Sequence, residues 1–200
     1  MKLASEPRSN YMKKARLKIR SVKGMAITNC TCCSLLTWDY TMPAATRHYI
    51  DPKRDDRKAG GVLIYNGRVL IIQSRSDKWG FPKGGFERGE TAAQCAEREV
   101  HEETSFNVRF SDDDLKVKYK DTTFYVKHLQ NEPPEIDIQY LKTPGNDCTG
   151  IGWIRLTCLK RLVKKVVERQ EEPPQAMHFN MGVRKFVKQY MERANARPSA

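Results

Sequence analysis

The chain's hydrophobic pattern becomes regular only from Ala59 onward. Gly61–Tyr65 and Arg68–Ile72 are β-rich apolar runs separated by Asn66-Gly67. That dipeptide predicts a two-residue hairpin, because a type I′ turn needs positive φ at both central positions. Trp79–Gly85 reads as a short strand running into a glycine-rich loop. A helix is expected from about Thr91, which has capping-box spacing to Gln94, to an end between Thr104 and Asn107. Leu115–Tyr119 and Thr122–His128 suggest a second antiparallel pair. Ile136–Leu141 suggests a short strand and Trp153–Leu156 a final one. Leu159, Leu162, Val163, Val166 and Val167 recur at helical spacing, Pro173-Pro174 breaks that helix, and Met181–Arg193 forms another. Strands around one central helix, with another behind, make an α+β sandwich.

The first fifty-odd residues differ from this. Lys13, Lys14, Arg16, Lys18, Arg20 and Lys23 form a positive run, followed by a more apolar stretch, Met25–Tyr40, and a charged segment, Asp51–Lys58. Such a segment either folds onto the core as an arm or tethers an anionic partner. The layout is therefore a basic N-terminal extension (1–55), a central domain (56–172) and a C-terminal helical extension (173–200).

Composition narrows the class. With 200 residues, 39% apolar and 30% charged, the chain can bury a sizeable core without disulfide or metal staples. A formal net charge of +12 favours nucleic acid, polyphosphates or an anionic surface as partners. Met1–Lys14 has no apolar h-region, and no stretch is long enough to span a bilayer. An intracellular, cytoplasmic protein is expected, with its six cysteines as thiols. Cys30, Cys32 and Cys33 cluster, but a zinc site usually needs two separated pairs. His48, Cys148 or Cys158 could complete one only by long-range convergence, so the cluster is read as buried or surface thiols.

The chemistry concentrates in Gly84–Glu103. Glu99, Glu102 and Glu103 sit at i, i+3 and i+4, so a helix projects them to one side, where like charges repel. A solvated acidic face is the ordinary explanation of such a run. The helical wheel opposes it: Glu99 and Glu103 share a side with Ala92, Cys95 and Ala96, while Gln94, Glu97 and His101 fall opposite. Inward carboxylates are costly without a partner, and a divalent cation is the simplest one.

These residues resemble the Nudix family. Gly84, Glu90, Arg98, Glu99, Val100, Glu102, Glu103 and Phe106 match its signature at the required spacing, and Ser105 stands where the pattern has glycine. That departure bears on the helix exit more than on chemistry. The resemblance covers roughly Lys58–Gln170. It implies a Nudix-type α/β/α sandwich with a mixed sheet and a loop–helix–loop motif, in an enzyme that hydrolyses phosphoanhydride bonds. It further implies that Glu99 and Glu103 bind Mg²⁺ or Mn²⁺ with a main-chain carbonyl near Lys83 or Gly84. Glu102 would orient or deprotonate the attacking water, a role it could exchange with Glu99, and Glu90 and Arg98 would pair to hold the loop on the helix. Some members add a further loop acid. Asp147 is the candidate, with Glu135 and Glu132 as alternatives.

Phe81-Pro-Lys-Gly-Gly, preceded by Trp79, looks like the approach to the motif in diphosphoinositol-polyphosphate and diadenosine-polyphosphate hydrolases. Arg57 and Lys58 on the first strand, Arg75, Ser76 and Lys78 before the motif, and Lys83 within it are the expected substrate contacts. Arginines there could grip a phosphate-rich small molecule bidentately. The alternative substrate is capped messenger RNA, which the basic N-terminal arm and the lysine-rich helix Lys160–Lys165 would suit. A non-catalytic binding module is disfavoured, because it has no reason to keep inward carboxylates.

Overall fold

A computed structural model describes residues 33–38, 56–74, 78–142, 146–167 and 177–195. Its strands are β1 (Ser34–Thr37), β2 (Lys58–Tyr65), β3 (Arg68–Ser74), β4 (Lys78–Gly80), β5 (Lys83–Gly85), β6 (Leu115–Tyr119), β7 (Thr122–His128), β8 (Cys148–Arg155) and β9 (His178–Phe179). Its helices are α1 (Ala92–Thr104), α2 (Ile138–Leu141), α3 (Leu156–Val167) and α4 (Met181–Asn195). None of the helices described is long and apolar enough to cross a membrane.

One mixed sheet organises the molecule, in the order β1-β8-β3-β2-β7-β6, with β5 beside β2 and β4 between β3 and β9. The β2–β3 hairpin turns through Asn66 (φ 46°) and Gly67 (φ 67°), the left-handed pair that a type I′ turn demands. Strand β2 then runs parallel to β7 from Lys58↔Thr122 to Ile64↔His128. Both faces of β2 are covered, which is why its sequence is continuously apolar rather than alternating. Val62 and Ile64 join Val69, Ile71, Leu159, Val183 and Phe186 in the layer beneath α3 and α4. Ala59 and Leu63 join Leu70, Ile72, Cys95, Ala96 and Val100 in the layer beneath α1. Two helical layers on one sheet give the expected sandwich.

Several elements differ from the pattern-based expectation. Ile136–Leu141 contains a helical turn, α2, and not a strand, because the Asp137 side chain accepts the N–H groups of Gln139 and Tyr140, both at 3.0 Å. Such a cap favours a helical turn over an extended ladder. Lys83–Gly85 is a strand and not a loop, pairing Gly60↔Lys83, Ala59↔Gly84 and Lys58↔Gly85. Strand β8 begins at Cys148, earlier than its aromatic centre suggests, Leu156 already belongs to α3, and β9 follows it in the chain. The break expected at Pro173-Pro174 lies outside the described residues.

Residues 34–37 add β1 to the edge of β8, from Ser34↔Trp153 to Thr37↔Gly150. The Trp38 N–H continues the contact by donating to the Thr149 carbonyl at 2.9 Å. The positive run Lys13–Lys23 lies outside the described residues.

Candidate active site

Helix α1 starts on a capping box. The Gln94 N–H donates to the Thr91 hydroxyl at 3.2 Å, and the Thr91 N–H donates to the Gln94 side-chain oxygen at 2.9 Å. With the first turn fixed, Cys95, Ala96, Glu99 and Val100 face the sheet and are buried, while Gln94 and His101 face outward. The helix exits through Ser105 at φ 64°, whose N–H donates to the His101 carbonyl at 2.8 Å. Serine thus takes the left-handed exit conformation usually given to glycine.

The inward carboxylates meet strand β5. Glu99 is only 8% exposed, and its carboxylate lies against the α-carbon of Gly84. A Cβ on residue 84 would overlap both Glu99 oxygens, so glycine is required there by close approach. One turn on, a Glu103 oxygen accepts the backbone N–H of Lys83 at 2.7 Å. Burial pushes the Glu99 carboxyl above the ordinary carboxylate range, opposed by the Arg98 guanidinium. Burial raises Glu103 still more, opposed by the Lys83 N–H and reinforced by the charges of Glu99 and Asp147. The two are therefore electrostatic neighbours in a poorly solvated place.

Arg98 braces the arrangement. Its Nε donates to Glu90 at 2.7 Å and its Nη2 to the Gly85 carbonyl at 2.7 Å. Its Nη1 donates to Glu99 at 2.8 Å and to Glu102 at 3.2 Å. The hydrogen bond from Arg98 holds the Glu90 carboxyl below its usual range. The expected Glu90–Arg98 pair is present, and the same arginine also reaches the two other acids. Glu102 itself is about half exposed, with a side-chain accessibility of 51%, at the solvent edge of the pair.

One buried and one half-buried carboxylate with a nearby exposed third are hard oxygen donors, the chemistry that a small divalent cation selects. The mutual repulsion of Glu99 and Glu103 is what such a cation would relieve. Among the described residues no three acidic, histidine or cysteine side chains form a closed metal cluster. A hard ion here would accordingly complete its shell from main-chain carbonyls, water and substrate oxygens. The Gly84 carbonyl lies 3.7 Å from the Cys95 sulfur, a weak contact that leaves it acceptor capacity.

Of the other expected contacts, Asp147 is exposed, yet close enough to Glu103 to raise its pKa. Glu132 and Glu135 are exposed in the preceding loop. Asn146, which no signature marks, joins this turn to the helix. Its side-chain amide donates to the Glu102 carbonyl at 2.8 Å, and its oxygen accepts the Cys148 N–H at 3.0 Å. Its position between a glycine and an acid gave only a turn signal. The Arg57 guanidinium lies over the Phe86 ring at 5.0 Å, just past β5. Lys83 is half-buried beside the acids, whereas Lys58 and Lys78 are exposed on their strands. Arg75 and Ser76 lie outside the described residues. An open groove lined by Arg88, Glu90, Gln94, Glu97, Arg98 and His101 runs over the outer side of α1, away from Glu99 and Glu103.

The family model of the NUDIX domain matches residues 55–175. Protein 111R of Invertebrate iridescent virus 3, named as a hydrolase, is 34% identical over 132 residues, covering 64% of this chain and 75% of that one. The m7GpppN-mRNA hydrolase of Saccharomyces cerevisiae is 30% identical over 120 residues, which are 58% of this chain and 11% of the yeast protein. A crystal structure of a C. elegans Ap4A hydrolase binary complex superposes with a TM-score of 0.47 at 16% identity, over 70% of this chain and all of that one.

Proposed function

The chain belongs to the Nudix family of hydrolases, and from that premise we propose that it hydrolyses the phosphoanhydride linkage of capped RNA in a divalent-metal-dependent reaction. The observation that carries the reaction class is the inward Glu99–Glu103 pair, the first buried and the second half-buried, seated against Gly84 and the Lys83 N–H. Glu99 and Glu103 would hold the ion with the Gly84 carbonyl, and Asp147 in the facing turn is a further acid whose charge reaches Glu103. A divalent ion, Mg²⁺ or Mn²⁺, would supply charge neutralisation on the pyrophosphate and a lower pKa for the attacking water.

The chain's own residues do the rest. Glu102, held by Arg98 at the solvent edge, orients the water and accepts its proton as the oxygen bonds to phosphorus. The phosphorus–bridging-oxygen bond breaks and the leaving phosphate carries away the electron pair. Glu99 is the alternative base, with its desolvation as the reason. Lys83, whose charge already reaches both inner acids, offsets negative charge on the substrate.

Two observations favour capped RNA: the likeness to the yeast m7GpppN-mRNA hydrolase and the exposed cations Lys160, Arg161 and Lys188 on α3 and α4. A diphosphoinositol polyphosphate or dinucleoside polyphosphate is the second reading, favoured by Arg57 and Lys83 beside the motif. A side-by-side assay with Mg²⁺ decides between them by kcat/KM on capped RNA, free cap analogue, diadenosine polyphosphate and diphosphoinositol polyphosphate. Capped RNA is expected to rank first. Preference for a small polyphosphate would overturn the RNA assignment and leave the hydrolase intact. Removal of residues 1–23 should weaken capped RNA more than small substrates, and equal effects would remove the arm from RNA recognition.

A further inference from the structure

The thiols of Cys33 and Cys158 come together from segments distant in the sequence. Cys33 directly precedes β1 and is half-buried, while Cys158, in the first turn of α3, is 9% exposed. The two side chains are in hydrogen-bonding contact, and neither is in a disulfide. The backbone N–H of Arg155 donates to the Cys33 sulfur at 3.5 Å. Both cysteines belong to the apolar layer that includes Val69, Ile154 and Leu159.

We propose that Cys33 and Cys158 are a redox-active dithiol that closes to a disulfide and so clasps β1 to α3. Beyond this contact, β1 is held by four residue pairs with β8 and by the Trp38–Thr149 hydrogen bond. A covalent link at its start would anchor the whole strand. The other end of β1 pairs with Gly150, and the next residue, Trp38, bonds to Thr149, close past Asp147 in the chain. Oxidation would therefore fix the strand that flanks the acidic turn facing Glu103.

The chemistry needs a two-electron oxidant, and a small-molecule disulfide such as oxidised glutathione serves. Cys33, the more accessible sulfur, loses its proton and attacks that disulfide, releasing one thiol. Cys158 loses its proton and attacks the mixed disulfide, releasing the second. The protein gives up two electrons and two protons, and the reagent is reduced to two thiols. Burial raises the Cys33 pKa, reinforced by Cys158 and opposed by the Arg155 N–H and the Arg68 guanidinium, so the attacking thiolate forms more readily as pH rises.

The full-length chain should be equilibrated in oxidised and reduced glutathione, mapped as peptides without reduction, and melted. The expected result is a peptide joining Cys33 to Cys158 and a melting midpoint several degrees higher when oxidised, reversed by dithiothreitol. Cys33→Ser, a change at a half-buried site, should abolish both the link and the redox-dependent shift. If Cys158→Ser fails to fold, Cys33→Ser and the peptide map of the unaltered protein still decide the matter. Arrest at a glutathione adduct on Cys33, a link from Cys30 or Cys32 instead, or a zinc ion recovered on these thiols would each overturn the proposal.

Discussion

The Glu103 carboxylate and the Lys83 backbone are joined by a 2.7 Å hydrogen bond, so the last turn of α1 is tied to β5 by the side chain proposed to bind metal. One group thus has both a structural and a chemical duty, and substitutions can separate them. Glu103→Gln keeps an oxygen to accept the Lys83 N–H but removes the charge. Turnover is expected to fall about 10²- to 10⁴-fold with the circular dichroism spectrum unchanged. Near-normal kcat at saturating Mg²⁺ would remove Glu103 from the reaction.

The same two acids should mark the pH dependence of stability without metal. Burial raises Glu99 and Glu103 above the 4.5 of an ordinary glutamate. In the folded state they hold their protons more tightly than in the unfolded chain. They therefore cost nothing below that ordinary value, and the cost grows as pH rises through their raised folded values. In chelator, Glu103→Gln should melt higher than the unaltered protein at neutral pH, with the gap closing on acidification. A gap that is constant with pH would contradict the buried-charge account.

Much of this site was legible because its determinants are local. Thr91 and Gln94 fix the helix start, Asn66-Gly67 fixes a turn, and the spacing of Glu99 and Glu103 places both inward once α1 forms. What escaped depends on residues distant in sequence. The Asn146–Glu102 bond joins residues 44 apart in sequence, and the pairing of Gly84 with Ala59 turns an apparent glycine loop into β5. Cys33 meets Cys158 only because β1 and α3 both attach to β8. The error at α2 has a different origin: an apparent strand pattern was overridden by one capping aspartate.

Arg98 is the brace of the motif, with acceptors on Glu90, Gly85, Glu99, Glu102 and, more weakly, Cys95. Lysine keeps the charge but loses the planar fork that serves several partners at once. Arg98→Lys should lower unfolding free energy by about 1–3 kcal/mol in a urea titration. A variant as stable as the unaltered protein would show that the network contributes nothing net.

Ser105 offers a test of the one departure from the family pattern. At φ 64° it carries a left-handed strain that glycine lacks, partly offset by glycine's greater freedom when unfolded. Ser105→Gly should stabilise the protein by about 0.5–1 kcal/mol, and Ser105→Val should destabilise it. Loss of stability in the glycine variant would mean that the serine hydroxyl, which donates to the Thr104 carbonyl at 2.5 Å, outweighs the strain.

Thermal melting during a Mg²⁺ titration, comparing the unaltered protein with Glu99→Gln/Glu103→Gln, tests the central assignment most directly because it reads the ion on the folded chain without any substrate. The unaltered protein should gain melting temperature saturably with Mg²⁺ while the double variant, folded at the outset, gains none. Equal gains in both proteins, or none in either, would contradict a hard-cation site built on these two carboxylates.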